Sequence, residues 1–161
     1  MSFFFEELSI GDVLELGSFV FSEDIIIQFA EQFDPLPFHL DEEAAKAGPY
    51  GGLSATGWLV SAAWMPCMYG TLLEHTKTRI AEGKPIAKLG PSPGLKNIKW
   101  LKPVFAGETI AYSFEVIDLR VSSSRPEWGI LSMLCKGKNS EDERVMQFES
   151  SVFVERATKD A

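Results

Sequence analysis

Histidine is scarce in this chain: 161 residues contain two, His39 and His75. Cysteine is as scarce, and Cys67 and Cys135 stand in no spaced motif, which argues against a disulfide framework or a zinc site. Basic charge is short as well. A formal net charge of -8 at pH 7 argues against nucleic acid or an anionic membrane surface as the main partner. It also leaves any phosphorylated ligand to a local basic patch. The first residues, Met-Ser-Phe-Phe-Phe-Glu-Glu, lack a basic segment followed by an apolar core, so no secretory signal is read there. These absences point to a reduced, cytoplasmic protein. Internal repeats and low-complexity linkers are missing too.

What remains is an ordinary globular composition, 45% apolar and 24% charged, on a chain long enough for one well-packed domain, taken as residues 1–161. One stretch stands out, because no charge of either sign occurs between residues 47 and 73. Residues 53–73 are long enough to span a bilayer. The run contains Ser54, Thr56, Ser61, Pro66 and Gly70, has no basic flank, and lies among amphipathic strands. The better reading is a helix over about 56–83, buried at the centre of a soluble domain. An aspartate at Ala62 would then strand a charge in the core. His75 falls where charge returns, on the emerging surface and with no partner to name.

Strands surround that run. Alternation or β-rich composition marks 12–21, 86–101 with an interruption at the turn cluster 90–94 and a restart at Leu95, and then 109–117, 128–135 and 145–154. In 109–117, Ile110, Tyr112, Phe114 and Val116 share one side. Short polar links such as 138–143 imply antiparallel pairing. The sheet's apolar face needs a cover, and only the uncharged helix is long enough. The expected class is therefore α+β, a curved antiparallel sheet wrapped around one long central helix.

The chemistry concentrates just before that helix. Ser22 caps a first helix, with Glu23 and Asp24 in its opening turn and Ile25, Ile26, Phe29, Ala30 and Phe33 at helical spacing. The helix stops at Asp34-Pro35. Asp34-Pro35-Leu36-Pro37-Phe38-His39 then sets a carboxylate five residues ahead of an imidazole. Each proline biases the residue before it out of helical geometry, so 34–39 reads as a stiff, non-helical connector that holds the two groups apart at a set distance. Asp34 and His39 are thus a candidate catalytic pair. Asp41 is better placed as N-cap of a short helix over 41–47 than as a third member.

Three segments resemble the MaoC-like dehydratases, the family of the (R)-specific enoyl-CoA hydratases, which have the hot-dog fold. Asp34 to His39 resembles the family's acid-x4-His motif. Gly51-Gly52-Leu53-Ser54-Ala55-Thr56-Gly57-Trp58 is similar to the glycine-containing start of its central helix. Trp100-Leu-Lys-Pro103 and Ala106-Gly-Glu-Thr109 resemble the strand-turn-strand that follows. The resemblance covers most of the chain, with two departures. Leu36 stands where many members have asparagine, and Thr56 stands where relatives carry other residues.

The resemblance implies a hydratase or dehydratase, a carbon–oxygen lyase of fatty-acid metabolism, acting on an enoyl or 3-hydroxyacyl thioester of coenzyme A. No cofactor is implied beyond the coenzyme A of the substrate. Asp34 and His39 would share one water as base and acid. The N–H of Gly57, at the helix N-terminus, would form the oxyanion hole, its missing side chain admitting the thioester oxygen. Thr56 and Ser61 are candidates for substrate contact, with capping or helix-backbone bonding preferred for both. Lys96 and Lys99, with Lys102, are the basic cluster available to the CoA phosphates. A homodimer or dimer-based oligomer is expected, since hot-dog sheets leave edge strands.

Rival readings come from other classes. A hot-dog acyl-CoA thioesterase would not need the imidazole partner. A serine hydrolase built on Gly52-Leu53-Ser54 lacks the second glycine of a nucleophile elbow, and its acid and histidine would lie on the wrong side in chain order. Asp34, His39 and Asp41 are too few ligands for a metal. A non-catalytic acyl-thioester-binding subunit is the remaining alternative, because fold and function are separable.

Overall fold

The computed structural model describes residues 3–157. After a short 3-10 turn (Phe5–Glu7), the chain forms β1 (Val13–Val20) and α1 (Glu23–Phe33). Three short helices follow: α2 (Pro37–Leu40), α3 (Glu42–Lys46) and α4 (Gly57–Ala62). Then come α5 (Trp64–Ala81), β2 (Leu95–Trp100), β3 (Thr109–Val121), β4 (Trp128–Lys138) and β5 (Arg144–Glu155). The strands make one sheet in the order β1-β3-β4-β5-β2, with every neighbouring pair antiparallel. The α4–α5 segment lies on its apolar face. This is the α+β hot-dog arrangement that the sequence led us to expect, with strands β3 and β4 running a few residues longer than their alternation indicated.

The packing follows from the pattern. Ile110, Tyr112, Phe114 and Val116 are all buried, as their shared side requires. Two polar anchors then set the helices on the sheet. Tyr112 of β3 donates its hydroxyl to the carbonyl of Val60 in α4 at 2.7 Å, and Trp64 of α5 donates its indole N–H to Ser113 of β3 at 3.2 Å. The Trp64 ring also meets Phe148 of β5 edge-on, 5.6 Å between centroids. Burial drives the Tyr112 hydroxyl well above its ordinary pKa, so it serves as a neutral donor.

Several details of the expected arrangement differ. The central helix is not continuous: it stops at Ala62 and restarts at Trp64, with Ala63 between them. The cause is Pro66, which has no N–H for the carbonyl of Ala62 and whose ring would collide with it; as third residue of α5 it sits where no N–H is needed. Nor does the sheet cover the helix on both sides. Leu59, Val60, Ala63, Trp64 and Met68 are buried, whereas Trp58, Ala62, Met65, Tyr69 and Leu73 form an open stripe at spacings of three or four. Ala62 is therefore a surface position in this chain, and a charge there is not stranded in the core. Among the described residues no helix is long and apolar enough to cross a membrane. Finally, His39 lies in a helical turn rather than a non-helical connector, because Pro37 is well suited to the first position of α2. His75 also has a partner, the ring of Phe3 at 5.1 Å.

Candidate active site

α1 delivers the carboxylate. Ser22 caps its N-terminus by accepting from the N–H of Ile25, and its last N–H bond runs from Asp34 to Ala30. Asp34 then leaves helical geometry at φ -157 and ψ 66, as a residue before proline must. Leu36, the next residue before a proline, is extended at φ -78 and ψ 138 and starts α2. One turn later His39 points inward. Asp41 caps α3 through the N–H of Ala44 at 2.7 Å, the structural role assigned to it.

The histidine is held by one bond whose chemistry settles its tautomer. Nδ1 lies 2.6 Å from the carbonyl oxygen of Ser54, and a carbonyl can only accept. Nδ1 therefore carries the hydrogen, and in the neutral ring Nε2 presents a lone pair. Nε2 faces Oδ2 of Asp34 at 3.8 Å, with the histidine side chain 8% exposed and the aspartate 24%. That separation is too long for a direct hydrogen bond. Both atoms are acceptors, so a water donating one proton to each fits between them. The same Oδ2 accepts the hydroxyl of buried Thr56 at 2.5 Å.

Both groups line a cavity of about 450 Å³, together with Thr56, Gly57, Trp58, Trp100 and Lys102. Gly57 opens α4, and no side chain caps that helix, so its first N–H groups are free to donate. The cavity thus combines a carboxylate, an imidazole acceptor and a helix N-terminus against apolar walls. Among the described residues no group of three or more His, Cys, Asp or Glu is arranged to hold a metal ion.

Comparison with known proteins places the fold. No family model matches the chain. Over 151 residues it is 30% identical to the uncharacterized protein YdeM of Bacillus subtilis (strain 168), the match taking in 94% of this chain and 98% of that one. A MaoC-like dehydratase from Rhodospirillum rubrum is 28% identical with a TM-score of 0.79, over 97% of this chain and 99% of the other. A monoamine oxidase regulatory protein from Archaeoglobus fulgius is 26% identical with a TM-score of 0.81, over 97% and 96%. The chain belongs to the MaoC-like family.

In this MaoC-like chain several residues do not act as their sequence context implied. Thr56 and Ser61 are not capping side chains: Thr56 bonds Asp34, and Ser61 accepts the indole N–H of Trp100 at 3.0 Å. The space that glycine leaves at position 57 is taken by an indole, since a Cβ there would lie 2.4 Å from the Trp100 ring. The three lysines do not converge. Lys96 pairs with Glu149 at 3.3 Å beside a separate depression, and Lys99 stands opposite Gln147 in the sheet, while Lys102 lines the cavity and pairs with Glu143.

Sequence reading of this MaoC-like protein missed three contributors: the Ser54 carbonyl, the Thr56 hydroxyl as a partner of Asp34, and Trp100. The first two lie 15 and 22 residues from their partners, and no local pattern marks such pairs. Trp100 had a signal, a glycine that opens a helix without being needed for a turn.

Proposed function

We propose that this protein catalyses the reversible hydration of an α,β-unsaturated acyl thioester, with coenzyme A as the carrier within the substrate. The observation that carries the reading is the facing pair of acceptors, Nε2 of His39 and Oδ2 of Asp34, with Nδ1 pinned by the Ser54 carbonyl. A water held by both is polarised and aimed by two groups at once. Nε2 takes one proton as the water oxygen bonds to the β-carbon. The electron pair of the double bond moves to the thioester oxygen, where the Gly57 N–H at the α4 N-terminus stabilises it. The imidazolium then gives its proton to the α-carbon, and the neutral tautomer returns. Asp34 keeps its charge throughout and stabilises the transient cation.

Lys102, as the basic residue on the cavity wall, is the member of the lysine cluster best placed for the CoA phosphates; Lys96 and Lys99 sit farther along β2. A homodimer completes the reading. β2 is an edge strand, and the open stripe of α4 and α5 continues onto it through the Trp58–Trp100 contact, 5.1 Å between rings. One isologous contact would cover both the edge and the stripe. A cytoplasmic setting suits a thioester carried on soluble coenzyme A.

The test is incubation with crotonyl-CoA while enoyl absorbance and free thiol are followed together. Loss of absorbance without thiol release is expected, and Asp34→Asn or His39→Ala each lowers that rate by roughly two to four orders of magnitude. Thiol release at the wild-type rate would instead mark a thioesterase. Near-normal hydration by either variant would remove the acid–base assignment.

A further inference from the structure

Acidic residues outnumber basic ones in this chain, and most of its cations are spent on them. Of the lysines and arginines among the described residues, only Lys99, Arg120, Arg125 and Arg144 have no ion-pair partner. Two of these meet at one side chain. Arg144 donates from Nη1 to Oε1 of Gln147 at 2.8 Å, and Lys99 stands directly opposite Gln147 in the pairing of β2 with β5. An amide is neutral, so both cations keep their full charge, and both are exposed. Met146 and Phe148, on either side of Gln147, are buried, so Gln147 and Lys99 point to the outer face of the sheet. The cations beside them are matched: Lys96 by Glu149 at 3.3 Å, Lys136 by Glu115 at 2.5 Å and Lys138 by Asp142 at 2.7 Å. This corner therefore carries a local surplus of positive charge on a protein whose net charge is -8.

Contacts lead to that corner from the cavity. Lys102 lines the Asp34/His39 cavity and pairs with Glu143, the residue before Arg144. Val145, the residue after Arg144, also lines it, and its carbonyl accepts the N–H groups of Leu101 and Lys102 at 2.7 and 3.3 Å. Trp100, which follows Lys99, is another lining residue. Each free cation is thus one residue from the cavity wall, reached round the C-terminal end of β2.

We propose that Arg144 and Lys99 bind the 3′-phosphate of coenzyme A while the thioester end of the same molecule occupies the cavity. The inference rests on the hydratase reading and adds a recognition site for the carrier. A phosphate monoester carries roughly two negative charges at neutral pH, which the two free cations offset. Arg144 has guanidinium N–H groups beyond the one given to Gln147, and that bond holds the fork in place for phosphate oxygens. The pantetheine arm sets the phosphates of coenzyme A well away from its thioester, so their site lies outside the catalytic cavity. A thioester on a carrier protein fits the corner less well, because its phosphopantetheine ends in a diester and offers no monoester.

The experiment is calorimetric binding of coenzyme A and dephospho-coenzyme A, which differ only in the 3′-phosphate. The proteins are wild type, Arg144→Ala, Lys99→Ala and Arg120→Ala. Wild type should bind coenzyme A about tenfold more tightly than dephospho-coenzyme A, the worth of one charge-assisted bond. Arg144→Ala and Lys99→Ala should each lose most of that preference while holding dephospho-coenzyme A as before. Arg120→Ala removes an unpaired charge at the other end of β3 and should leave both affinities unchanged. Equal binding of the two ligands by wild type, or a preference kept by Arg144→Ala or Lys99→Ala, would overturn the proposal. So would a preference lost equally in Arg120→Ala, which marks a diffuse field instead of a site. Hydration of crotonyl-CoA by wild type, followed by enoyl absorbance, separates the two readings. Hydration without any preference for the 3′-phosphate removes this site alone; the preference without hydration removes the hydratase reading alone.

Discussion

The hydroxyl of Thr56 donates to Oδ2 of Asp34 at 2.5 Å, and that oxygen is the one facing His39. A residue at the mouth of α4 therefore holds the rotamer of a residue at the end of α1. Two elements far apart in sequence are locked at the point where the chemistry is proposed, and a cavity with this geometry needs little reorganisation when substrate arrives.

Thr56→Val keeps the branched shape and removes only the donor. Turnover of the best enoyl thioester is expected to fall by roughly ten- to a hundredfold, with Thr56→Ser restoring most of it. Because Thr56 acts through Asp34, adding Thr56→Val to Asp34→Asn should cost little beyond Asp34→Asn alone. Steady-state kinetics on the four proteins checks this. Full additivity in the double variant would show that Thr56 works independently of the carboxylate.

Gly57→Ala drives a methyl group into the Trp100 ring. Because the indole is half exposed and can swing outward, the fold should survive with a loss of about 1–3 kcal/mol, and the Trp100–Ser61 bond should break. Adding Trp100→Ala should return most of that stability. Denaturant melts with near-ultraviolet circular dichroism give the answer. A Gly57→Ala protein as stable as wild type, with unchanged indole signals, would mean that the ring is not seated against residue 57.

Ala62→Asp tests the open stripe. The position is exposed in the single chain, so the variant should fold and remain soluble. If a second copy covers the stripe, the aspartate places two like charges in an apolar contact and the dimer should weaken by an order of magnitude or more. Sedimentation across a concentration series reads both effects. Wild type that stays at the mass of one chain at every concentration would exclude the dimer, and a misfolded variant would return Ala62 to the core.

Local sequence determined a good deal of this protein. Ser22, Pro35 and the caps at Asp34 and Asp41 act within four residues of themselves, so their effects are legible without a fold, whereas Pro37 reads equally as a stiff connector or as the first residue of a helix. The alternation of 109–117 chose the buried side of β3 for the same reason, since side chains on a strand alternate whatever they pack against. The acid and the imidazole were legible as a pair because one short segment carries both.

Tertiary structure decided what they do. The uncharged run was apolar on every side, so its sequence carried no periodicity to say which face the sheet would take; that choice came from Tyr112 and Trp64 reaching across to fixed partners. The break at Ala63 turned on whether Pro66 would interrupt a helix or fall in the first turn of a new one. The tautomer of His39, the grip of Thr56 on Asp34 and the indole lying in the space left by Gly57 all join residues 15 or more positions apart. Such contacts depend on three-dimensional distance alone, and only the folded chain supplies it.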